Sequence, residues 1–157
     1  MPTVLNRILP QRIDNTYRGH PLAVWFFVPV VVLKTGIALA TIFNGREAAQ
    51  SADGIPLDSL GASGAQAVVA LFAMWGLAQL VFSVLGVLAL VRYRAMIPFL
   101  FVLFLLEHLA RRWILLAKPI ARTGTPPGSY VNLAILVMTV VGLALSLRSR
   151  ADLPWQQ

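Results

Sequence analysis

The sequence predicts an all-α integral membrane protein. We expect a bundle of four transmembrane helices, with both termini in the cytoplasm and with spans two and three forming a tight hairpin. Four apolar runs are each long enough to cross the roughly 30 Å hydrocarbon core of a bilayer. Hydrophobic residues make up 58% of the 157 residues and charged residues only 12%, against roughly 25% in soluble domains. Basic residues lie mainly where the apolar runs end, as topology signals do.

The whole chain, residues 1–157, is expected to form one membrane domain. The spans are predicted at about residues 21–43, 65–91, 95–117 and 130–147, and the outer loops at about residues 44–64 and 118–129. The segment before the first span suits either a short interfacial helix, interrupted at Pro10, or an irregular tail on the membrane surface. Residues 46–52 are expected to form one or two helical turns, and Ser129 is expected to cap the fourth helix.

The distribution of Lys and Arg predicts the orientation. Arginines flank the first span, the turn between spans two and three, and the C-terminal tail, whereas the first outer loop has Arg46 alone. This pattern places both termini in the cytoplasm, and the basic flanks with the small size suggest a bacterial inner membrane. The outer side nevertheless carries an excess of positive charge from Arg111, Arg112, Lys118 and Arg122. This excess needs a structural reason.

Ionisable residues inside the apolar runs are the main candidates for function, because such groups usually face a partner, a cavity or headgroups. Glu107 lies about 18 Å along span three and Lys34 about 20 Å along span one, at about 1.5 Å per residue. Since both spans run in the same direction, we predict an ion pair between Lys34 and Glu107. The alternative is that Lys34 reaches outward and Glu107 is satisfied within its own helix. His108 and Arg111 complete the predicted intramembrane polar site, and Arg111 follows Glu107 at the spacing of a favourable helical ion pair.

Other residues are assigned to headgroup contact and to helix packing. Basic residues at the helix ends are predicted to contact headgroups or anions: Arg112, Lys118, Arg122, Arg92 and Arg94. Small residues in the spans are predicted to let helices approach closely: Gly36, Ala40, Ser83, Gly86, Gly142 and Ser146. Gln79 and Thr139 are polar, but their estimated depths separate them from Glu107, so we expect neither to extend the site.

Several classes of chemistry are not expected. The chain has no cysteine, which removes thiolate catalysis, iron–sulfur clusters and Cys-ligated zinc. The two histidines, His20 and His108, are predicted near opposite sides of the membrane, so no metal site or haem is expected. His108 has no evident serine partner and no phosphate-binding glycine loop is present, so we expect no enzyme and no cofactor. Nucleic-acid binding is not expected, because no basic domain stands outside the membrane.

The leading functional expectation is a non-enzymatic accessory, assembly or scaffold subunit. It would sit in the bilayer among anionic lipids and pack against another membrane protein or against itself as a homo-oligomer. The alternative is a small proton-coupled or anion carrier that uses Lys34, Glu107 and His108. A further alternative is a protein that binds a lipid or another hydrophobic molecule between spans one and three.

Overall fold

A computed structural model of the chain describes residues 4–10 and 12–148. The regular secondary structure of these residues is helical, with no β-strand among them. A short helix α1 precedes four long helices, α2 to α5: Val4–Ile8, Pro21–Phe43, Gly61–Val91, Ile97–Ala117 and Gly128–Leu147. We call the end formed by residues 44–60 and 118–127 the loop end, and the end formed by residues 12–20, 92–96 and 148 the hairpin end.

Three helices of the described part are long and apolar enough to cross a membrane: α2, α3 with its preceding turn, and α5. Membrane association therefore follows from their length and composition. The fourth long helix, α4, carries Glu107, Arg111 and Arg112, and its composition alone does not mark it as a span. The predicted count of four spans and the predicted orientation of the termini thus remain predictions.

The four long helices alternate in direction. Gly86 lies against Val31, and Gly76 lies against Ala38, so α3 runs antiparallel to α2. Gly142 lies against Phe101, and nearer the loop end Arg111 of α4 bonds to Asn132 of α5. The helix α5 therefore runs antiparallel to α4. α2 and α4 run in the same direction, because Phe27 lies against Phe101 and Lys34, farther along α2, bonds to Glu107, farther along α4.

The hairpin half of the bundle is closed by an aromatic core. The rings of Phe27 and Phe101 meet edge to face with centroids 4.9 Å apart. Phe27 also stacks on Phe104 at 5.9 Å. All three phenylalanines are buried, and aromatic pairs at such distances are stabilising beyond the area they bury.

The predicted packing residues divide into two groups. Ser83, Gly86, Gly142 and Ser146 are buried, as predicted; a Cβ atom added at Gly86 would lie 2.7 Å from Val31 Cγ2, and one added at Gly142 would lie 2.6 Å from Phe101 Cε1. The prediction is wrong for Gly36 and Ala40, which are exposed, and a Cβ at Gly36 would have no neighbour within 4 Å.

The packing stripe of α2 explains this error. Lys34 faces the interior, so positions four and seven residues later, Ala38 and Thr41, are also buried. Gly36, two residues after Lys34, is rotated by about 200° and faces outward.

The predicted hairpin is correct at its turn but not along its length. Only Arg92 to Met96 connect α3 to α4, with a 3₁₀ turn at Arg94–Met96. Beyond the turn, however, α3 packs mainly on α2, and α4 packs mainly on α5. The two helices of the hairpin therefore separate toward the loop end.

Two helix starts differ from the prediction. α3 begins at Gly61, which has a φ of 66°, rather than at about residue 65. α5 begins at Gly128, and Ser129 is not its cap, because Ser129 already lies inside the helix and Pro127 occupies the cap position. The Pro126-Pro127 turn thus starts the helix earlier than the expected side-chain cap would.

The loop end is a packed cap. One α-helical turn at Gly45–Glu47 continues into a π-helical turn at Ala48–Ala52, which confirms the predicted turns in this loop. Leu57 and Ala49 are fully buried over Ala65. The second loop joins this cap, because Thr123 donates its backbone N–H to the Gly54 carbonyl at 2.8 Å.

At the hairpin end, the expected short helix is present as Val4–Ile8. Arg7 of this helix donates to the backbone carbonyl of Leu147, the last residue of α5. Val4 and Leu5 are well exposed, as an interfacial helix requires.

Candidate functional site

The polar site is built around an ion pair between α2 and α4. Lys34 Nζ donates to Glu107 Oε2 at 2.9 Å. Only 8% of Lys34 is exposed, and the side chain is held above the Phe104 ring, with Nζ 5.1 Å from the ring centroid. The predicted pairing of Lys34 and Glu107 is therefore present in the structure.

Gln79 of α3 also belongs to this site, contrary to the prediction. Its side-chain Nε2 donates to Glu107 Oε1 at 2.8 Å, so each carboxylate oxygen accepts one hydrogen bond. Measured from the shared turn at 92–96, Gln79 and Glu107 lie at almost the same height, about 15–18 Å at 1.5 Å per residue. The sequence contained this signal, but it appears only when heights are counted from the hairpin. Thr139 stays outside the site, since its hydroxyl donates to Ile135 O of its own helix at 2.7 Å.

Arg111 does not form the predicted ion pair with Glu107. It donates instead to Asn132 Oδ1 of α5 at 2.7 Å, and its guanidinium lies over the Trp75 ring at 5.2 Å. Because both oxygens of Glu107 are held by neighbouring helices, Arg111 extends toward the loop end. Asn132 and Trp75 are site residues that the sequence did not reveal, since the rotation of α5 and α3 about their axes is not fixed by periodicity.

A small cavity of about 20 Å³ lies beside the side chains of this polar site. It is lined by the polar side chains of Lys34, Gln79, Glu107, His108, Arg111 and Asn132. The aromatic core closes the site on the hairpin side. The opposite side leads toward the loop end.

A larger cavity of about 400 Å³ lies at the loop end between α3, α4 and α5. It shares four lining residues with the small cavity, namely Trp75, His108, Arg111 and Asn132. His108 is 8% exposed and lies where the two cavities meet. The separation of α3 from α4 beyond the hairpin turn is what leaves room for this cavity.

The lining of the larger cavity combines positive charge with apolar surface. Its basic residues are Arg111, Arg112 and Arg122, and its acidic residue is Asp53; the apolar walls come from Ile55, Leu71, Phe72, Leu115, Ile120, Leu133 and Leu136. The ion pairs of the described residues are Asp14–Arg18, Lys34–Glu107 and Arg46–Asp58. In this part of the chain, the three cavity arginines therefore have no carboxylate within 4.0 Å.

Asp53 is affected by its position at the cavity. Burial raises the pKa of its carboxyl above the ordinary value, while Arg122 and Arg111 oppose that shift. The net charge of the lining is positive whether or not Asp53 is ionised.

A second loop-end cavity of about 430 Å³ lies between α2, α5 and the first loop. It shares Asp53, Phe72, Trp75 and Asn132 with the first cavity, so these residues lie between the two cavities. Ala40, predicted as a packing residue, lines this second cavity.

The hairpin end carries its own basic residues. A cavity of about 610 Å³ there is lined by Arg7, Arg12, Arg18 and Tyr17, among others, and burial raises the pKa of the Tyr17 phenol. His20 accepts a hydrogen bond at Nδ1 from the Leu22 backbone N–H and so caps α2. This end is thus more uniformly basic than the first loop.

The residues predicted to contact headgroups are exposed. Arg112, Lys118 and Arg122 lie near the loop end, and Arg92 and Arg94 at the hairpin end. Arg94 donates from Nε to the Leu90 carbonyl at 3.1 Å. Exposure is compatible with headgroup contact, which remains a prediction.

No group of three or more potential metal ligands occurs in the part of the chain that the structure describes. The fold and the site define a class of protein: an all-helical protein with membrane-length helices, an internal ion pair and an amphipathic cavity beside it. Comparison with known protein families, characterised proteins and solved structures finds no match for this chain.

Proposed function

We propose that this chain is a non-enzymatic integral membrane protein that binds an anionic amphiphile in the loop-end cavity of about 400 Å³ between α3, α4 and α5. The ligand class is a molecule with a negatively charged headgroup and an apolar chain. The observation that carries the proposal is the lining of this cavity, where three arginines without carboxylate partners stand beside continuous apolar walls. Binding sites of this kind pair a largely apolar surface with a few charged groups that fix orientation.

The proposal includes a membrane crossing by α4. This helix lies beside α3 and α5, both of which are long and apolar enough to span. The carboxylate of Glu107 accepts hydrogen bonds from Lys34 and Gln79 inside the bundle. These bonds lower the free-energy cost of placing a carboxylate at that depth. Four crossings put the two termini on one side, and the basic hairpin end is then cytoplasmic, in an inner-membrane location.

The same contacts weaken one reason for expecting a partner protein. Polar residues within an apolar helix would suit a contact with another chain, yet two of those on α4 bond within this chain: Glu107 with Lys34 and Gln79, and Arg111 with Asn132. An accessory subunit therefore remains a prediction that these two residues do not support. A carrier would also need a route to the hairpin end, which Phe27, Phe101 and Phe104 occupy.

The test compares two double variants that remove the same charge from opposite ends. Arg112→Gln with Arg122→Gln changes exposed residues of the cavity lining. Arg92→Gln with Arg94→Gln changes two exposed arginines at the hairpin end, outside that lining. The protein is placed in nanodiscs of zwitterionic lipid and titrated with decanesulfonate, whose charge is constant with pH, and with decanol as the uncharged match.

Trp75 reports binding, because it lines the cavity. The background protein keeps Trp75 and carries phenylalanine at the other three tryptophans, Trp25, Trp113 and Trp155. We expect the loop-end variant to bind decanesulfonate at least about tenfold more weakly, since a hydrogen bond to a charged group contributes roughly 1.5–3 kcal/mol and a tenfold change in Kd is about 1.4 kcal/mol. The hairpin-end variant should bind like the background protein. Equal affinities for both variants would contradict the proposal, and full competition by inorganic sulfate would point to a simple anion instead of an amphiphile.

A further inference from the structure

A basic cavity lies at the hairpin end, at the opposite end of the bundle from the loop-end cavities. It measures about 610 Å³, within the range of about 300–1,000 Å³ that small-molecule sites occupy. Its charged and hydrogen-bonding side chains belong to Arg7, Arg12, Arg18, Asn6, Thr16, Tyr17 and Ser146. The described residues that line this cavity thus include three arginines and no carboxylate.

The cavity lies where the membrane-length helices end. α2 begins at Pro21, α3 ends at Val91 and α5 ends at Leu147, and these are the three helices long and apolar enough to cross a bilayer. Ser146 of α5 and Pro98 of α4 line the cavity next to these ends. A bilayer around these helices therefore puts the cavity at the level of the lipid headgroups.

We propose that this cavity binds the phosphate group of an anionic phospholipid through Arg7 and Arg12. The two guanidinium groups donate to the phosphate oxygens, a geometry that suits arginine better than lysine. The acyl chains of the lipid stay in the surrounding bilayer. This inference goes beyond the proposed function, because it concerns a separate cavity at the other end of the bundle.

The positive charge of the two arginines is not neutralised within the described part of the chain. Neither Arg7 nor Arg12 has a carboxylate within 4.0 Å among residues 4–10 and 12–148, whereas Arg18 lies 3.6 Å from Asp14. Arg7 donates to the Leu147 carbonyl, which fixes its position and leaves other N–H donors of the five on a guanidinium. Arg7 is therefore both placed at the cavity and able to bind an anion there.

The rest of the hairpin end adds to this charge. Residues 4–10, 12–20, 92–96 and 148 contain six arginines and a single acidic residue, Asp14. Clustered arginines next to a membrane surface attract anionic lipids. The field of the whole end therefore favours an anionic headgroup at the cavity.

Exposed apolar side chains on the same segment indicate a lipid instead of a soluble anion. Val4, Leu5, Leu9 and Ile13 are each more than half exposed, and they flank the two arginines in sequence. Apolar side chains of an interfacial segment insert at the boundary between headgroups and acyl chains. The segment thus offers charged groups for a headgroup and apolar groups for the chains below it.

Tyr17 adds a hydrogen-bond donor at the cavity. Its hydroxyl is buried and has no hydrogen-bond partner among the described residues. Buried polar groups without a partner are rare, and each calls for an explanation. A phosphate oxygen brought into the cavity that Tyr17 lines would give this hydroxyl an acceptor.

The test is native mass spectrometry of the full chain in detergent micelles. The protein is titrated with dioctanoyl phosphatidylglycerol and with dioctanoyl phosphatidylcholine, which has the same acyl chains and no net charge. Every protein carries Arg112→Gln with Arg122→Gln, which weakens anion binding at the loop end. In this background, Arg12→Gln is compared with Arg148→Gln, which removes one exposed charge from the same end but outside the cavity lining. Arg7→Gln with Arg12→Gln removes both proposed phosphate ligands.

We expect the Kd for phosphatidylglycerol to rise at least about tenfold in the Arg7 and Arg12 double variant, because the loss of one hydrogen bond to a charged group is enough for a change of that size. Arg12→Gln alone should raise the Kd by a smaller factor, and Arg148→Gln should bind like the background protein. Phosphatidylcholine should bind the background protein more weakly than phosphatidylglycerol does. Arg12→Gln keeps the contact between Arg7 and Leu147, so it reports loss of charge even if the double variant detaches α1.

Three outcomes would overturn the inference. Equal Kd values for Arg12→Gln and Arg148→Gln would show that the cavity has no special role, and equal binding of the two lipids would show that the headgroup charge is not recognised. Full competition by glycerophosphate, which has the phosphate ester but no acyl chain, would assign the cavity to a soluble anion. None of these results bears on the loop-end cavity, because binding there is read from Trp75 and depends on different arginines.

Discussion

Replacing Lys34 by methionine should be one of the most destabilising single substitutions in this chain. The change removes the cation that lies 2.9 Å from Glu107 Oε2 and leaves a partly buried carboxylate, with 19% of its side chain exposed and Gln79 as its remaining partner. Coulomb's law gives about 6 kcal/mol for two unit charges at this distance with an effective dielectric constant of about 20. Desolvation offsets part of this attraction, and removal of one member of a buried pair typically costs about 3–5 kcal/mol. We expect a loss of free energy of unfolding in that range.

The assay is reversible unfolding in mixed micelles, followed by circular dichroism, for the parent protein, Lys34→Met, and Lys34→Met with Glu107→Gln. The double variant should recover most of the lost stability, because it removes the uncompensated charge while the amide introduced at position 107 can still bond with Gln79. A loss below about 1 kcal/mol for Lys34→Met, or no recovery in the double variant, would refute the claim that this pair is buried and coupled.

Three further predictions concern packing, a cavity carboxyl and the arginine contact. Gly142→Val should lower the free energy of unfolding by about 1–3 kcal/mol, because the added side chain meets the Phe101 ring. Gly36→Ala, whose added methyl group meets no atom within 4 Å, should leave the free energy of unfolding unchanged or raise it by about 0.5–1 kcal/mol. Thermal unfolding of both variants tests this difference. The native state with a raised Asp53 pKa binds more protons than the unfolded state, so Asp53 lowers stability as the pH rises through the interval between the two pKa values. Asp53→Asn should remove that decline, measured as the difference in unfolding free energy between about pH 4 and about pH 7. Asn132→Leu should lower the free energy of unfolding by about 1.5–3 kcal/mol, because it removes the hydrogen-bond acceptor of the Arg111 guanidinium. Equal denaturation midpoints for this variant and the parent protein would contradict that contact.

The sequence was a good guide to the fold along each helix. The first span was predicted at the residues where α2 begins and ends, because Pro21 and the Phe43-Asn44 junction mark both ends. The start of α3 was missed, since a glycine with positive φ begins this helix and hydropathy gives no sign of it. Composition marks three membrane-length helices. It does not mark α4 as a span, because this helix carries the charged residues Glu107, Arg111 and Arg112.

The site was only partly predictable, for a geometric reason. Height along a helix follows from residue counting, so the pairing of Lys34 with Glu107 could be predicted. Rotation about the helix axis and separation between helices depend on packing across the whole bundle, so Trp75 and Asn132 could not be placed. The contact between Gln79 and Glu107 lies between these cases: counting from the hairpin turn would have predicted it, whereas counting from the loop end did not.

Stability alone does not explain the charges at this site. A well-packed apolar pair at the positions of Lys34 and Glu107 would be about as stable as the ion pair, or more stable. What an apolar pair would not provide is a polar site beside a positively charged cavity. Because Glu107 borders a space that adjoins that cavity, and because aromatic side chains close the other side, the ion pair is accessible from one end of the bundle. This one-sided access is the structural reason to test whether the ion pair contributes to ligand binding as well as to packing.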